Sequence, residues 1–114
     1  MKLKELVEYI GGSVVCCEEC LDREVEFAFA SDLMSDVLTV KSEKLLLITG
    51  LANIQAVRTA EMSDLQAIVF VRNKRVSEDM IRLAQENCIV LIEYPGTMFR
   101  VSGLLYSLGV KAVY

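Results

Sequence analysis

The sequence predicts a single α/β domain in which a mostly parallel sheet of about five strands is flanked by helices on both faces. Short, wholly apolar runs at residues 45–48, 67–71 and 89–92 recur along the chain, and an amphipathic segment follows each of them. Strands that are buried on both faces have continuous apolar runs, and parallel strands need helical crossovers. A length of 114 residues without a linker or low-complexity segment fits one domain, residues 1–114.

The first part of the chain predicts a helix, two strands and a second, short helix. Apolar residues at helical spacing over residues 3–10 predict the first helix, and two glycines end it. Residues 13–17 predict a strand. Residues 24–30 alternate with a period of two, which indicates another strand. Ser31 is then placed to cap the short helix, with Asp32 in its first turn.

Three strand-and-helix units make up the rest of the chain. Each has an apolar run, a turn and an amphipathic segment. The units are residues 45–62 with Asn53 as the helix cap, residues 67–86 with Ser77 as the cap, and residues 89–109 with a turn at 94–97. Residues 110–113 predict a last strand.

The distribution of charge excludes several classes of function. The formal net charge is −4, and lysines and arginines are scattered without a basic stripe, so we expect no binding to nucleic acid. No apolar run approaches the roughly 18 residues of a membrane helix. Residues 1–10 have no apolar signal core. We therefore expect no membrane association and a cytoplasmic location. The chain has no histidine, the commonest general base.

The apolar content predicts a second copy of the chain as a partner. Hydrophobic residues make up 54% of the sequence. A small domain has too much surface to bury so large an apolar fraction inside one copy. We therefore expect a homodimer in which part of this surface is covered.

Four segments give the chain a resemblance to the DRTGG-domain family. They are Ala-Ser-Asp-Leu-Met-Ser-Asp-Val at 30–37, Ile-Thr-Gly-Leu-Ala-Asn at 48–53, Ala-Ile-Val-Phe-Val-Arg-Asn-Lys at 67–74 and Gly-Leu-Leu-Tyr-Ser-Leu-Gly-Val at 103–110. The chain is similar over nearly its whole length. The namesake motif is absent, because Asp22-Arg23 is followed by Glu24-Val25.

The resemblance implies a small α/β regulatory domain that tends to dimerise. The family includes accessory domains of some phosphotransacetylases and regulated inorganic pyrophosphatases, and it resembles the N-terminal domain of HPr kinase/phosphorylase. The kinase chemistry of that enzyme belongs to a separate domain with a P-loop. No G-x-x-x-x-G-K-[ST] motif occurs here, so we expect no kinase activity and no catalytic residue.

The cysteines form one C-x-x-C pair, Cys17 and Cys20, with Cys16 beside it and Cys88 far along the chain. One such pair supplies half of a structural zinc site. A redox pair needs its first cysteine at a helix N-terminus, whereas this pair leads into a turn. We predict free thiols without metal, and a metal bridging two subunits is the open alternative.

The candidate ligand site lies at the carboxyl edge of the sheet, where ligands of parallel α/β folds gather. Strands 45–49 and 67–71 are joined by one helix, which makes them neighbours with their ends on the same edge. The turn amides could hold an anion, and an arginine adds a planar cation. Simple capping is the competing interpretation. The predicted ligand-binding residues are Ser31, Asp32, Thr49, Gly50, Asn53, Arg72 and Thr97.

These observations favour a non-enzymatic regulatory or ligand-sensing domain that binds a small anionic metabolite or nucleotide without a cofactor. One alternative is a pure interaction module that docks on a larger metabolic enzyme. A second is a Mg²⁺-dependent phosphoryl-group enzyme that uses Asp32 and Asp36, which are four residues apart. Under the competing interpretation of this pair, Asp32 only complements a helix dipole and Asp36 is solvated. Tyr94 is a candidate to stack on a flat ligand.

Overall fold

Helices and strands alternate along the chain in the computed structural model, which describes residues 1–114. The helices are α1 (Leu3–Ile10), α2 (Met34–Val37), α3 (Ile54–Met62), α4 (Glu78–Glu86) and α5 (Met98–Leu108), and a short 3₁₀ helix, Glu18–Cys20, lies between the first two strands. The strands are β1 (Ser13–Cys16), β2 (Phe27–Ala30), β3 (Leu45–Thr49), β4 (Ala67–Phe70), β5 (Val90–Glu93) and β6 (Lys111–Ala112). None of the helices has the length and apolar character of a membrane span.

All six strands form one sheet in the order β1-β5-β4-β3-β2-β6. The pairs among β2 to β6 are parallel, and only β1 runs antiparallel, beside β5. Every residue of β3, β4 and β5 is buried, as continuous apolar runs require in a sheet covered on both faces. The predicted fold class is therefore confirmed, with six strands instead of about five.

Helices cover the two faces of the sheet in two groups. The chain steps in one direction from β2 through β3 and β4 to β5, and it then crosses back to β6. Right-handed crossovers put α2, α3 and α4, which connect β2 to β5, on one face and α5 on the other. The contacts agree, because α3 packs on α2 and α4, whereas α5 packs on α1 and β3.

The predicted helix caps Asn53 and Ser77 and the predicted glycine ends of α1 and α5 are confirmed, and Thr97 caps α5 in the same way. The side chains of Asn53, Ser77 and Thr97 each accept a hydrogen bond from the backbone amide three residues on, at 3.2, 3.3 and 3.1 Å. Gly11 and Gly109 end α1 and α5 with φ angles of 73° and 104°. Such left-handed angles favour glycine at these positions, because its lack of a Cβ removes the steric penalty.

The predicted cap at Ser31 is wrong. Helix α2 begins at Met34, and Leu33 stands at its N-cap position without a side-chain hydrogen bond. The hydroxyl of Ser31 accepts from the amide of Leu33 at 3.0 Å, so it closes a turn before the helix. Asp32 lies in that turn and not in the first turn of α2. Its carboxylate finds donors on the neighbouring strand instead of complementing the helix dipole.

The strand predicted over residues 24–30 is shorter, because its first half bonds to the start of the chain. The amide of Val25 donates to the carbonyl of Met1 at 2.7 Å. Lys2 and Glu24 form an isolated antiparallel bridge. Only Phe27–Ala30 joins the sheet, where it pairs with β3 and β6.

The cysteines differ in exposure, and this sets their chemistry. Cys16 and Cys17 are buried, Cys20 is half-buried and Cys88 is exposed. Burial is the main cause that raises the pKa of both buried thiols, that of Cys17 from 9.0 to about 12. No three of the cysteine and carboxylate side chains converge as a group that could hold a metal ion. Cys17 stands at the N-terminus of the 3₁₀ helix Glu18–Cys20 and not before a plain turn, as the sequence predicts, but burial still raises its pKa, so a low-pKa thiolate of the redox type is not expected there.

We predict that the buried and exposed thiols react at very different rates with a thiol reagent in the folded protein. Cys88 should be modified first and Cys17 last. At pH 9, a pKa of about 12 leaves roughly one Cys17 thiol in a thousand ionised. The thiolate is the reactive form, so Cys17 should stay slow until the pH approaches its raised pKa. Timed alkylation and peptide mass spectrometry at pH 8 and pH 10 would measure this. Equal rates at all four thiols would contradict the buried geometry.

Candidate functional site

Four parallel strands end at one edge of the sheet and bring the predicted ligand-binding residues into the same region. Ser31 follows β2, and its amide donates to the carbonyl of Ile48 at 3.0 Å. Gly50 follows β3, and the amide of Val71, just beyond β4, donates to the carbonyl of Thr49 at 3.0 Å. The prediction that β3 and β4 are neighbours with a shared carboxyl edge is confirmed.

Asp32 fills the position that an anion would take at the turn after β3. Its Oδ1 accepts from the hydroxyl of Thr49 at 3.1 Å and from the amide of Gly50 at 2.6 Å. The hydroxyl of Thr49 also accepts from the amide of Leu51 at 3.1 Å. Thr49 is fully buried, so its hydroxyl bonds only within the protein. The chain's own carboxylate thus satisfies this turn.

Arg72 places its guanidinium directly beside Gly50. A Cβ built on Gly50 would lie 2.9 Å from Nη2 of Arg72, so the cation occupies the space that any other side chain would need. Arg72 and Asn73 both have left-handed backbones, with φ of 63° and 58°. This conformation costs a non-glycine residue about 1–2 kcal/mol. The guanidinium forms no ion pair, while five ion pairs form elsewhere in the chain.

An open cleft lies beside the loop after β5, between α1 and α5. The amide of Arg72 donates to the carbonyl of Gly96 at 2.7 Å, which joins the loop after β4 to the wall of the cleft. The cleft encloses about 560 Å³, and its lining residues are Tyr9, Ile10, Tyr94, Pro95, Gly96, Arg100 and Leu104. It therefore combines aromatic and apolar surface with a cation, Arg100.

The exposed aromatic ring of the cleft belongs to Tyr9 and not to Tyr94. Tyr94 is only 4% exposed, and its ring packs against Gly96. Tyr9 is 49% exposed at the end of α1. Sequence reasoning missed Tyr9 and Arg100. The sequence does offer a signal for both, because each is a large side chain that falls outside the apolar face of its helix.

The other predicted residues have structural roles at the same edge. Asn53 caps α3 three residues after Gly50, and Thr97 caps α5 next to Gly96. Ser31 shapes the turn that presents Asp32. The structure thus brings Ser31, Asp32, Thr49 and Gly50 together around one turn, with Arg72 against it. Asn53 and Thr97 stand at the starts of the flanking helices.

The loop after β4 contains three cations at residues 72–75, and one of them forms an ion pair within the protein. Arg75 pairs with Glu93 at 2.8 Å, and the second oxygen of Glu93 accepts from the amide of Val76 at 2.9 Å. Glu93 is 8% exposed, so this pair stabilises the end of β5. Sequence reasoning missed Glu93, which is the last residue of β5 and follows the apolar run 89–92. The exposed cations left in this loop are Arg72 and Lys74.

We predict that Asp32→Ala destabilises the protein by about 1–2 kcal/mol, because two donors at the end of β3 lose a charged acceptor, although water can partly replace this exposed carboxylate. Asp36→Ala is the matched control, since Asp36 is exposed and its carboxylate forms no hydrogen bond or ion pair. Urea unfolding of the two variants would measure the difference. Equal stabilities would show that the bonds of Asp32 contribute little.

The comparison with solved structures finds the same fold in a regulatory protein. One similar structure is that of the CBS and DRTGG domains of the regulatory region of Clostridium perfringens pyrophosphatase, complexed with its activator diadenosine tetraphosphate. The TM-score is 0.72 at 16% sequence identity. The match covers 91% of this chain and 45% of that chain, so this chain corresponds to less than half of that structure. No curated protein matches the chain significantly.

The comparison with protein families gives the assignment. The family model of the DRTGG domain matches residues 5–108, which is nearly the whole chain, including all the elements that form the carboxyl edge. The resemblance expected from the sequence segments is therefore confirmed, and the chain belongs to the DRTGG domain family.

Proposed function

We propose that this DRTGG domain is a non-enzymatic, ligand-sensing regulatory module that acts in the cytoplasm as a homodimer. Its ligand is a small anionic metabolite or nucleotide, bound at the carboxyl edge of the sheet. The observation that carries the proposal is the guanidinium of Arg72. It lies against Gly50 at the strand ends without a carboxylate partner.

The geometry separates residues that build the site from those that contact the ligand. Asp32 already accepts from Thr49 and Gly50, so these groups hold the turn and do not face the ligand. The charge of Asp32 repels an anion from its own side of the turn. We therefore place the anion on the side of Arg72 away from Asp32, toward the Gly96 loop that the Arg72 amide contacts, and Arg100 of the cleft beyond this loop supplies a second cation.

The start of α5 supports the same placement. Thr97 caps this helix, and the cleft includes Gly96 and Arg100 on either side of it. The N-terminus of a helix carries a partial positive charge and unpaired amides, which favour phosphate or carboxylate groups. Ser31 and Asn53 contribute by shaping the turns that border the site.

A nucleotide suits this site better than a small anion alone. The cleft of about 560 Å³ gives room for a flat group beside the half-exposed ring of Tyr9, while phosphates reach the arginines. The similar pyrophosphatase region is complexed with a nucleotide activator. We propose by analogy that the domain reports nucleotide levels to a larger metabolic enzyme.

The site favours sensing over catalysis. A Mg²⁺-dependent phosphoryl reaction would need free carboxylates around the metal. Asp32 already bonds to the turn, and it and Asp36 are not part of any group of three potential metal ligands. The chain also has no P-loop lysine to hold phosphates.

We predict that Arg72→Ala weakens the binding of a nucleotide by about 1.5–3 kcal/mol, the range for a charged hydrogen bond. The probes are ATP, diadenosine tetraphosphate and inorganic pyrophosphate. A thermal-shift screen ranks them, and calorimetry measures affinity. Arg58→Ala is the control, because Arg58 is also exposed and unpaired but lies on α3. No shift with any probe, or equal losses in both variants, would contradict the proposal.

We predict that Gly50→Ala weakens the same binding while the protein stays folded. The added Cβ would lie 2.9 Å from the end of the flexible Arg72 side chain, which can move aside at little cost in stability. The cation then leaves its position at the turn. Unchanged affinity in a folded Gly50→Ala protein would show that the position of Arg72 beside Gly50 is irrelevant to binding.

A further inference from the structure

We propose that the outer face of α5, together with the groove beside it, is the contact between two copies of this chain. This α5 face is formed by Phe99, Gly103 and Tyr106. The inference names the surface of the homodimer included in the proposed function, and it does not depend on the ligand.

The first observation is the lack of charge on α5. Surface helices normally carry charged residues on the side facing water. The exposed positions of α1, α3 and α4 follow this rule. They include Lys4 and Glu8 in α1, Arg58 and Glu61 in α3, and Asp79, Arg82 and Glu86 in α4. In α5 the only charge is Arg100 in the first turn, and residues 101–108 have none.

The second observation is the size and position of the exposed side chains of α5. Phe99 is 89% exposed and Tyr106 is 75% exposed. Gly103 lies between them, and a Cβ added to it would meet nothing within 4 Å. A glycine inside a helix costs roughly 1 kcal/mol relative to alanine, and nothing within this copy requires it. Close approach of another backbone would require it.

The third observation is the groove beside α5. The sheet order places β2 and β6 at one edge, and a groove of about 140 Å³ separates them from α5. Ala28, Ala30 and Ala112 contribute small apolar side chains to it, and Ser102 and Tyr106 form the wall on α5. This part of the sheet therefore offers an apolar recess beside the exposed aromatic rings.

These features are self-complementary about a two-fold axis at Gly103. Phe99 is four residues before Gly103 and Tyr106 is three residues after it, so the two rings lie on opposite sides of the axis along the helix. In an antiparallel pair of α5 helices, Phe99 of one copy therefore meets Tyr106 of the other and approaches the groove that this Tyr106 lines. A two-fold interface requires this property, that one patch fits itself.

The charge of the chain favours a second copy as the occupant. The net charge is −4, so two copies repel each other over most of their surface. The α5 face has no acidic residue, and two copies can approach there with the least repulsion. The burial of Phe99 and Tyr106 also accounts for part of the high apolar content of the chain.

Light scattering of the unliganded protein at micromolar concentration tests the interface. The wild type should have twice the chain mass of 12.7 kDa. Tyr106→Glu should weaken the dimer by about tenfold or more, because a carboxylate would then be buried against Phe99 of the other copy without a charged partner. Met62→Glu is the control, since Met62 is 70% exposed on α3, on the other side of the sheet. A monomeric wild type, or a dimer lost only in Met62→Glu, would overturn the proposal.

Gly103→Ala separates dimerisation from folding. Alanine is the better helix former, so helix content should not fall, while the added methyl groups should separate the two backbones and weaken the dimer. In a Cys88→Ser background, Gly103→Cys should form an intermolecular disulfide under mild oxidation, and Met62→Cys should not. A Gly103→Ala dimer as tight as the wild type and no cross-link at Gly103→Cys would place the contact elsewhere. Because no nucleotide is present, failure here leaves the ligand proposal to its own test.

Discussion

The carboxylate of Asp32 determines how the carboxyl edge of the sheet is built. It follows β2 and accepts from Thr49 and Gly50 at the end of β3. A buried donor without a partner costs about 1–3 kcal/mol, so this carboxylate fixes the turn after β3. The turn in turn presents Gly50, and only a residue without a Cβ leaves space for the guanidinium of Arg72. The position of the Arg72 guanidinium thus depends on the hydrogen bonds of Asp32, which follows β2.

Local sequence patterns predict the features of the fold that are set by residues close together in the chain, such as strands and helix caps. The apolar run of β3 and the cap at Asn53 follow from burial and from amides three residues away, and the structure confirms both. The two donors to Asp32, Thr49 and Gly50, lie 17 and 18 residues away in the chain. Glu93 is likewise 18 residues from its partner Arg75. These pairs depend on strand order, which the chain does not encode locally. The predicted cap at Ser31 is wrong for a local reason, because the Ser31 hydroxyl accepts from Leu33 in a turn that precedes α2.

Helix α5 connects the two proposed surfaces. Its first turn borders the cleft through Arg100, and its outer face carries Phe99 and Tyr106. If a ligand at the cleft shifts or orders the start of α5, the affinity between two copies changes as well. Linkage requires the converse, that dimerisation changes the affinity for the ligand by the same factor. A regulatory module needs such a coupling between its ligand and its partner.

The central claim, that the ligand binds at the carboxyl edge beside Arg72, is tested most directly by chemical-shift mapping. Backbone amides of the ¹⁵N-labelled protein would be followed during titration with the tightest nucleotide of the screen. The account predicts the largest saturable shifts at Arg72, Asn73 and Gly96 and in the first turn of α5. Saturable shifts confined to the opposite edge of the sheet, around residues 41–44 and 62–66, would contradict it.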